Sequence, residues 1–245
     1  MSSEGSASKD KKPKAATATA TATAARAEPG RRYRGVSEEV RRSERRQRFI
    51  EAGLDVFGGR GYHSSTVRSI CASAGLTERY FYESFENSED LLCAVYHACV
   101  QRLREHMLAA LIEAPKEPEL MARIALHRVF ECVREDPRLA RILFIEVLGV
   151  SDRVDAMYRI TVEDFSNLLV RLTKPLFGDD RLPAPLDADI LANALIGSIV
   201  TSAGRWLLME FSTPIDTVVE NLHTIFTGVI RQLVSVADAH SASAG

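Results

Sequence analysis

The chain has 245 residues, 46% of them hydrophobic, and a formal net charge of -2, an ordinary soluble composition able to bury a good core in one or two domains. No run approaches the roughly 18 to 20 apolar residues of a bilayer span and the N-terminus lacks the apolar stretch of a signal peptide, so a cytoplasmic protein is expected. Residues 1–48 hold 13 Lys+Arg against 6 Asp+Glu whereas residues 91–245 hold 15 against 20, which points to a polyanion partner for the N-terminal end only.

Residues 1–36 are rich in Ala, Thr, Ser and Lys and cannot bury enough apolar surface to offset ordering, so they are expected to form a disordered basic arm. From Ser37 to Phe57 the apolar residues Phe49, Ile50, Leu54 and Phe57 fall on one helical stripe, with Arg41, Arg42, Arg45, Arg46 and Arg48 covering much of the rest. Gly58, Gly59 and Gly61 are expected to stop this helix. Thr66 is a plausible cap for a short helix ending at Gly75. Thr77 opens another through about Ser84, and Asn87 with Asp90 opens a longer one from Ser88 to about Leu111. Further helices are expected at about 119–135, 137–148, 152–177, 187–209 and 214–236, with Pro137, Gly149, the Gly178–Pro185 stretch and Pro214 as breaks. The fold class is therefore all-α. A DNA-binding domain spans 37–86, a larger helical domain 87–238, and a disordered tail 239–245.

The two short helices joined by a turn at Gly75 match a helix-turn-helix, whose second helix offers its N-terminal end and one face to a major groove. Within GLTERYFYESF (Gly75 to Phe85), Phe81 and Phe85 stand at i, i+4 and turn inward with Leu54, Phe57, Val67 and Ile70. Thr77, Glu78, Arg79, Tyr80 and Tyr82 are left outward or at the edge. Arg79 is a candidate base reader, since bidentate arginine on guanine is the commonest specific contact. Tyr82 is a candidate phosphate ligand, and Thr66, together with Arg45 of the supporting helix, is a further candidate for contact with DNA. Arg31, Arg32 and Arg34 are placed to reach the minor groove or the backbone. Glu78 repels phosphate unless it accepts from a cytosine amino group or pairs with Arg79.

The run SSTVRSICASAGLTERYFYESFENSEDLL, Ser64 to Leu92, resembles the DNA-binding signature of the tetracycline-repressor (TetR) family of bacterial transcriptional regulators. The matching positions are Thr66, the run Ile70 to Gly75, Thr77, the aromatics Tyr82 and Phe85, and Glu89, Leu91 and Leu92. The likeness extends from Arg45 to Val95. Ser84 and Ser88 depart from it, standing where the family often has His or Tyr and usually Lys, both phosphate contacts. The resemblance implies a homodimer paired through the last two long helices, bound to a palindromic operator on double-stranded DNA and released as a repressor by a small apolar effector. It also places a ligand site among Met121, Ile124, Phe130, Phe144, Val147 and Phe165, with His127, Asn193 and Trp206 as polar or aromatic lining.

Other readings stay in view. A helical interaction or structural protein could bind nucleic acid nonspecifically through the basic arm. Neither a hydrolase elbow, a phosphate-binding loop, a zinc motif nor a dinucleotide fingerprint occurs, so no enzyme, metal or cofactor is expected. The cysteines Cys71, Cys93, Cys99 and Cys132 lack C-x-x-C spacing and sit in apolar helical patterns, as packed thiols do. Cys93 and His97 share i, i+4 spacing, but two ligands do not make a metal site.

Overall fold

The computed structural model describes residues 29–115, 117–177 and 185–243. Among these residues there are nine helices and no strand: α1 Pro29–Arg60, α2 Val67–Ala74, α3 Glu78–Tyr82, α4 Ser88–Glu113, α5 Pro118–Glu135, α6 Pro137–Arg141, α7 Asp152–Phe177, α8 Ala188–Leu208 and α9 Ile215–Ser243. A single π-helical turn, Ile142–Glu146, follows α6 directly. The chain divides after Glu39 into two units, with every element beyond the first turns of α1 in the second. The expected disordered arm falls outside the described residues as far as residue 28.

Three boundaries differ from the sequence reading. Helix α1 begins at Pro29, ahead of the expected Ser37, because proline's fixed φ and missing N–H suit a first helical turn. It also runs through Gly58 and Gly59, both expected to stop it, and is closed instead by Gly61 at φ +91°. Helix α9 continues to Ser243 through a segment placed in the tail, since the Ala, His and Ser residues there include no breaker.

Gly58 serves a different purpose. A Cβ at this position would lie 2.6 Å from Arg138 Cβ and 2.9 Å from Arg138 Cα, so its bare backbone is what lets α1 rest on α6. Gly53 plays a milder version of the same part, with a Cβ there meeting Val95 at 2.8 Å and Leu91 at 3.2 Å on α4.

The expected core of the first three helices forms. Phe49, Phe57, Ile70 and Phe81 are fully buried, and Phe49 meets Phe81 edge-on at 5.5 Å and Phe85 at 6.3 Å. Each such ring contributes about 1.5 to 3 kcal/mol of burial. Leu91, Leu92 and Val95 of α4 join the same cluster, so α4 belongs to the core of both domains. Helix α5 lies between α4 and α9, and α7 packs along α8.

All four cysteines are buried and free. Burial raises their thiols above the ordinary value, Cys99 to about 12, which leaves them as packing groups. Helix α8, with a mean hydropathy of 1.2, is the one described helix long and apolar enough by composition to cross a membrane. Only 28% of its apolar window is buried.

A charged node joins the domains. Asp136 is buried and accepts from Arg138 Nε at 2.9 Å, Arg138 Nη2 at 3.0 Å and Arg102 Nη1 at 3.0 Å. Arg138 also bonds Asp55 of α1. Burial works to raise the Asp136 carboxyl, but the hydrogen bonds and charges of Arg138 and Arg102 outweigh it and hold the group below the usual aspartate range. A folded pKa below the unfolded one stabilises above the unfolded value, and that stabilisation is lost as pH falls through the folded one. Asp136→Asn is expected to cost about 2 kcal/mol near pH 7, less than a fully buried pair because both arginines are half exposed. Urea unfolding should show the gap between the two proteins closing as pH drops below the carboxylate range.

Candidate functional site

The helix-turn-helix is set by local chemistry. Thr66 caps α2 by accepting from Ser69 N at 3.1 Å, and Ser69 Oγ accepts from Thr66 N at 3.1 Å, a reciprocal capping box. Gly75 ends α2 at φ 62°, with Leu76 N donating to Cys71 O at 3.1 Å, the left-handed cap that glycine tolerates best. Thr77 has the extended backbone of a cap, yet its side chain makes no cap hydrogen bond to α3. Its exposed hydroxyl is thus free for a partner outside the chain.

Among the expected DNA-facing residues, Thr66, Thr77, Glu78, Arg79, Tyr80 and Tyr82 are all exposed. Arg79 is 84% exposed on its side chain and Tyr82 60% exposed overall. Arg31, Arg32 and Arg34 lie on the first turns of α1, and their side chains lie outside the described residues.

Arg45 is placed differently from expectation. Its side chain is only 22% exposed, its guanidinium sits 4.6 Å from the Tyr80 ring centre, and its Nε is buried without a partner. It holds α3 from behind through a cation–π contact. Its neighbours on α1 do likewise. Arg42 Nη2 donates to Glu83 O at 3.0 Å, closing the C-terminus of α3. Arg48 Nη2 donates to Ala74 O at 2.7 Å, closing α2, and Arg46 lies 4.6 Å over Phe85. Much of the arginine cluster is therefore mortar between α1 and the helix-turn-helix. A signal for this was present in the sequence, because these arginines flank the buried Phe49 and long cationic stems cover apolar edges. Glu78 has no basic partner among the described ion pairs, and Arg79 pairs with Glu83 at 3.1 Å instead.

In the larger domain a cavity of about 450 Å³ opens among five helices. Helix α4 supplies Met107 and Leu111, α5 Met121, Ala122, Ala125 and Val129, α7 Phe165, Leu168, Leu169 and Leu172, α8 Ile196 and Ile199, and α9 Phe226 and Ile230. Beyond it is a smaller pocket of about 90 Å³ lined by Tyr96, Leu143, Phe144, Tyr158 and Val200. Met107, Val129, Phe165, Ile196 and Ile199 belong to both walls, so the two adjoin. The larger volume lies in the usual range for a bound small molecule.

This site holds Met121, Phe144 and Phe165 of the expected set. Phe130 and Val147 are fully buried core. Trp206 is buried too, its Nε1 donating to Thr213 O at 2.7 Å and its ring packed on Phe130 and Phe211. It staples the turn after α8, where Glu210 and Phe211 adopt positive φ. His127 is a half-exposed clasp from α5 to α9, 3.3 Å from Glu131 and 3.4 Å from Asp216. Ile124 lies outside both pockets. Asn193 lines an open groove with Arg159 and Glu163 that shares Tyr158, Val162 and Val200 with the inner pocket. Cys93 is buried while His97 on the next turn is exposed, so the two side chains occupy different environments. Periodicity marks an inward face but cannot separate packed positions from cavity-lining ones, so it does not single out the α8 and α9 contributors.

The π turn touches both domains. Leu143 and Phe144 face the inner pocket. Two residues on, Glu146 Oε2 accepts from Tyr62 N at 2.7 Å while Glu146 Oε1 accepts from Arg141 Nε at 2.7 Å. Tyr62 stands in the loop between α1 and α2.

Comparison with known proteins agrees with this geometry. Residues 49–95 match the model described as bacterial regulatory proteins, tetR family. The chain is similar to the HTH-type transcriptional regulator YdgC of Bacillus subtilis, 24% identical over 76% of this chain and 93% of that protein. It is also similar to the HTH-type transcriptional activator FasR of Mycolicibacterium smegmatis, 26% identical over 73% and 80%. The fold matches the transcriptional regulator FadR of Bacillus subtilis in complex with stearoyl-CoA, with a TM-score of 0.64 and 18% identity over 77% of this chain and 97% of that one.

Proposed function

We propose that this chain, whose residues 49–95 match the tetR family of bacterial regulatory proteins, is a ligand-responsive transcriptional regulator. It binds a palindromic operator as a homodimer and is released, as a repressor, by an effector with a long acyl chain. The carrying observation is the apolar cavity with its adjoining inner pocket. Its walls are almost entirely aliphatic and aromatic, and each buried methylene of a chain is worth about 0.8 kcal/mol there. The stearoyl-CoA complex of the Bacillus subtilis regulator supports the same class of ligand.

Dimerisation is supported by the unpartnered face of α8. Ile190 and Leu208 are 70% and 71% exposed, and they align at helical spacing with Ala194, Gly197 and Thr201. A Cβ on Gly197 would meet nothing within 4 Å. On α9 the partner face is the side of Ile225, which is 49% exposed, whereas Phe226 and Ile230 turn inward to the cavity. In a two-fold pair, two recognition helices meet successive major grooves about 34 to 36 Å apart, or farther with a longer spacer.

The π turn offers a route from ligand to DNA. A chain reaching the inner pocket presses on Leu143 and Phe144, and the same turn carries Glu146, which holds Tyr62 next to α2. An effector that favours a displaced turn weakens DNA binding by its difference in affinity for the two states.

A gel shift on the chain's own upstream promoter, with excess nonspecific competitor, tests the reading. A palindrome-dependent band that stearoyl-CoA dissolves is the expected result. Complete loss to competitor would favour nonspecific binding instead. At residue level, Tyr82→Phe should weaken binding to all sequences about equally, as loss of a phosphate contact does. Arg79→Ala should relax preference at one base pair, at a cost of about 1 to 3 kcal/mol. Equal effects from both would refute that division of roles.

A further inference from the structure

We propose that Glu83 is a specificity-determining residue, acting as the positioning partner of Arg79; this rests on the DNA-binding reading above. An acidic side chain at the end of a DNA-facing helix is at first sight a liability, since it repels phosphate. Its surroundings explain its presence. Arg79 Nε donates to Glu83 Oε1 at 3.1 Å, one helical turn away. Glu83 Oε2 lies 3.9 Å from Arg45 Nη2, and Arg42 Nη2 holds the Glu83 carbonyl at 3.0 Å. Glu83 is thus fixed from behind by two arginines of α1, while it fixes a third in front.

The atom that Glu83 takes is the informative one. A guanidinium held through Nε keeps both terminal amino groups free, and these are the fork that matches guanine O6 and N7. The hold also sets the guanidinium plane and limits a side chain that otherwise loses much rotamer freedom on docking. It draws Arg79 away from Glu78 as well, and leaves that carboxylate on the first turn of α3 available to accept from a base amino group. Arg79 reads the base; Glu83 makes the reading selective.

The test compares wild type, Glu83→Gln, Arg79→Ala and the double variant in full-length protein. Binding to the operator, to single-base operator variants and to nonspecific DNA is measured by fluorescence anisotropy across a salt series, with thermal melting as a check of folding. Glu83→Gln is expected to lower the ratio of specific to nonspecific affinity by about tenfold, at the same base pair that Arg79→Ala affects. The double variant should be no less selective than Arg79→Ala alone, because coupled residues do not add. Glu83→Asp, which keeps the charge but shortens the reach, should reproduce the loss and covers the case of a Gln variant that melts early. Uniformly tighter binding to all DNA with the ratio intact would reduce Glu83 to a simple repulsive charge and overturn the proposal, as would additive losses. A wild-type protein with no preference for any operator would instead overturn the DNA-binding reading itself.

Discussion

Gly58→Ala is expected to destabilise the protein by about 2 kcal/mol, although the same change in an open helix stabilises by about 0.5 to 1 kcal/mol. The reason is local. The new Cβ would come within 2.9 Å of the Arg138 carbonyl oxygen and Cα, and backbone of that kind cannot swing aside. Either α1 lifts from α6 or Arg138 moves, and Arg138 is the residue that ties Asp136 to Asp55. Gly59 provides the control, since a Cβ there meets nothing within 4 Å. Gly59→Ala should be neutral or slightly stabilising. Opposite signs for adjacent glycines in urea unfolding would establish close approach as the cause; equal effects would refute it. Because the contact joins the two domains, Gly58→Ala should also weaken the link between effector and DNA.

The larger functional effect is expected from filling the cavity. Ala125 lines the wide part from α5, and tryptophan there would occupy space meant for an acyl chain. Ala125→Trp should still bind operator, because α1 to α3 are untouched, yet need at least about a hundredfold more stearoyl-CoA for release, the loss of several buried methylenes at about 0.8 kcal/mol each. Anisotropy titration of the protein–DNA complex reads both quantities together. Release at the wild-type concentration would show that the effector binds elsewhere. If instead the variant loses DNA binding and melts early, a smaller filling, Ile199→Phe, repeats the test from α8.

Most helices were legible in the sequence because apolar period, caps and breakers agreed. Thr66, Gly75, Asn87 and Pro137 each sit where an end was expected. The exposed set on α3 was legible too, since two buried phenylalanines at i, i+4 leave the other side chains outward. The glycine stop at Gly58 was misplaced, because a glycine required for close approach looks the same in sequence as one required for a left-handed cap. Arg45 was assigned outward, but its place depends on Tyr80, which is far along the chain and adjacent only after folding. Of the nine residues expected at the ligand site, Met121, Phe144 and Phe165 line the two pockets. Trp206, Phe130 and Val147 are apolar and inward, and only packing distinguishes a filled space from an empty one.

The sequence by itself determined the helical class, the helix-turn-helix with its caps, and the division of the recognition stretch into anchoring phenylalanines and exposed side chains. These are local matters, governed by residues within one or two turns of each other. Tertiary structure alone decided which arginines became mortar, which apolar residues enclose the cavity, and that Glu146, on the turn that lines the inner pocket, would bond Tyr62. Those depend on residues far apart in the chain, 84 positions in the bond between Tyr62 and Glu146, and no local pattern encodes which distant side chain arrives. Glu83 stands between the two: its i, i+4 bond to Arg79 could be read from spacing, while the arginines of α1 that hold it in place could not.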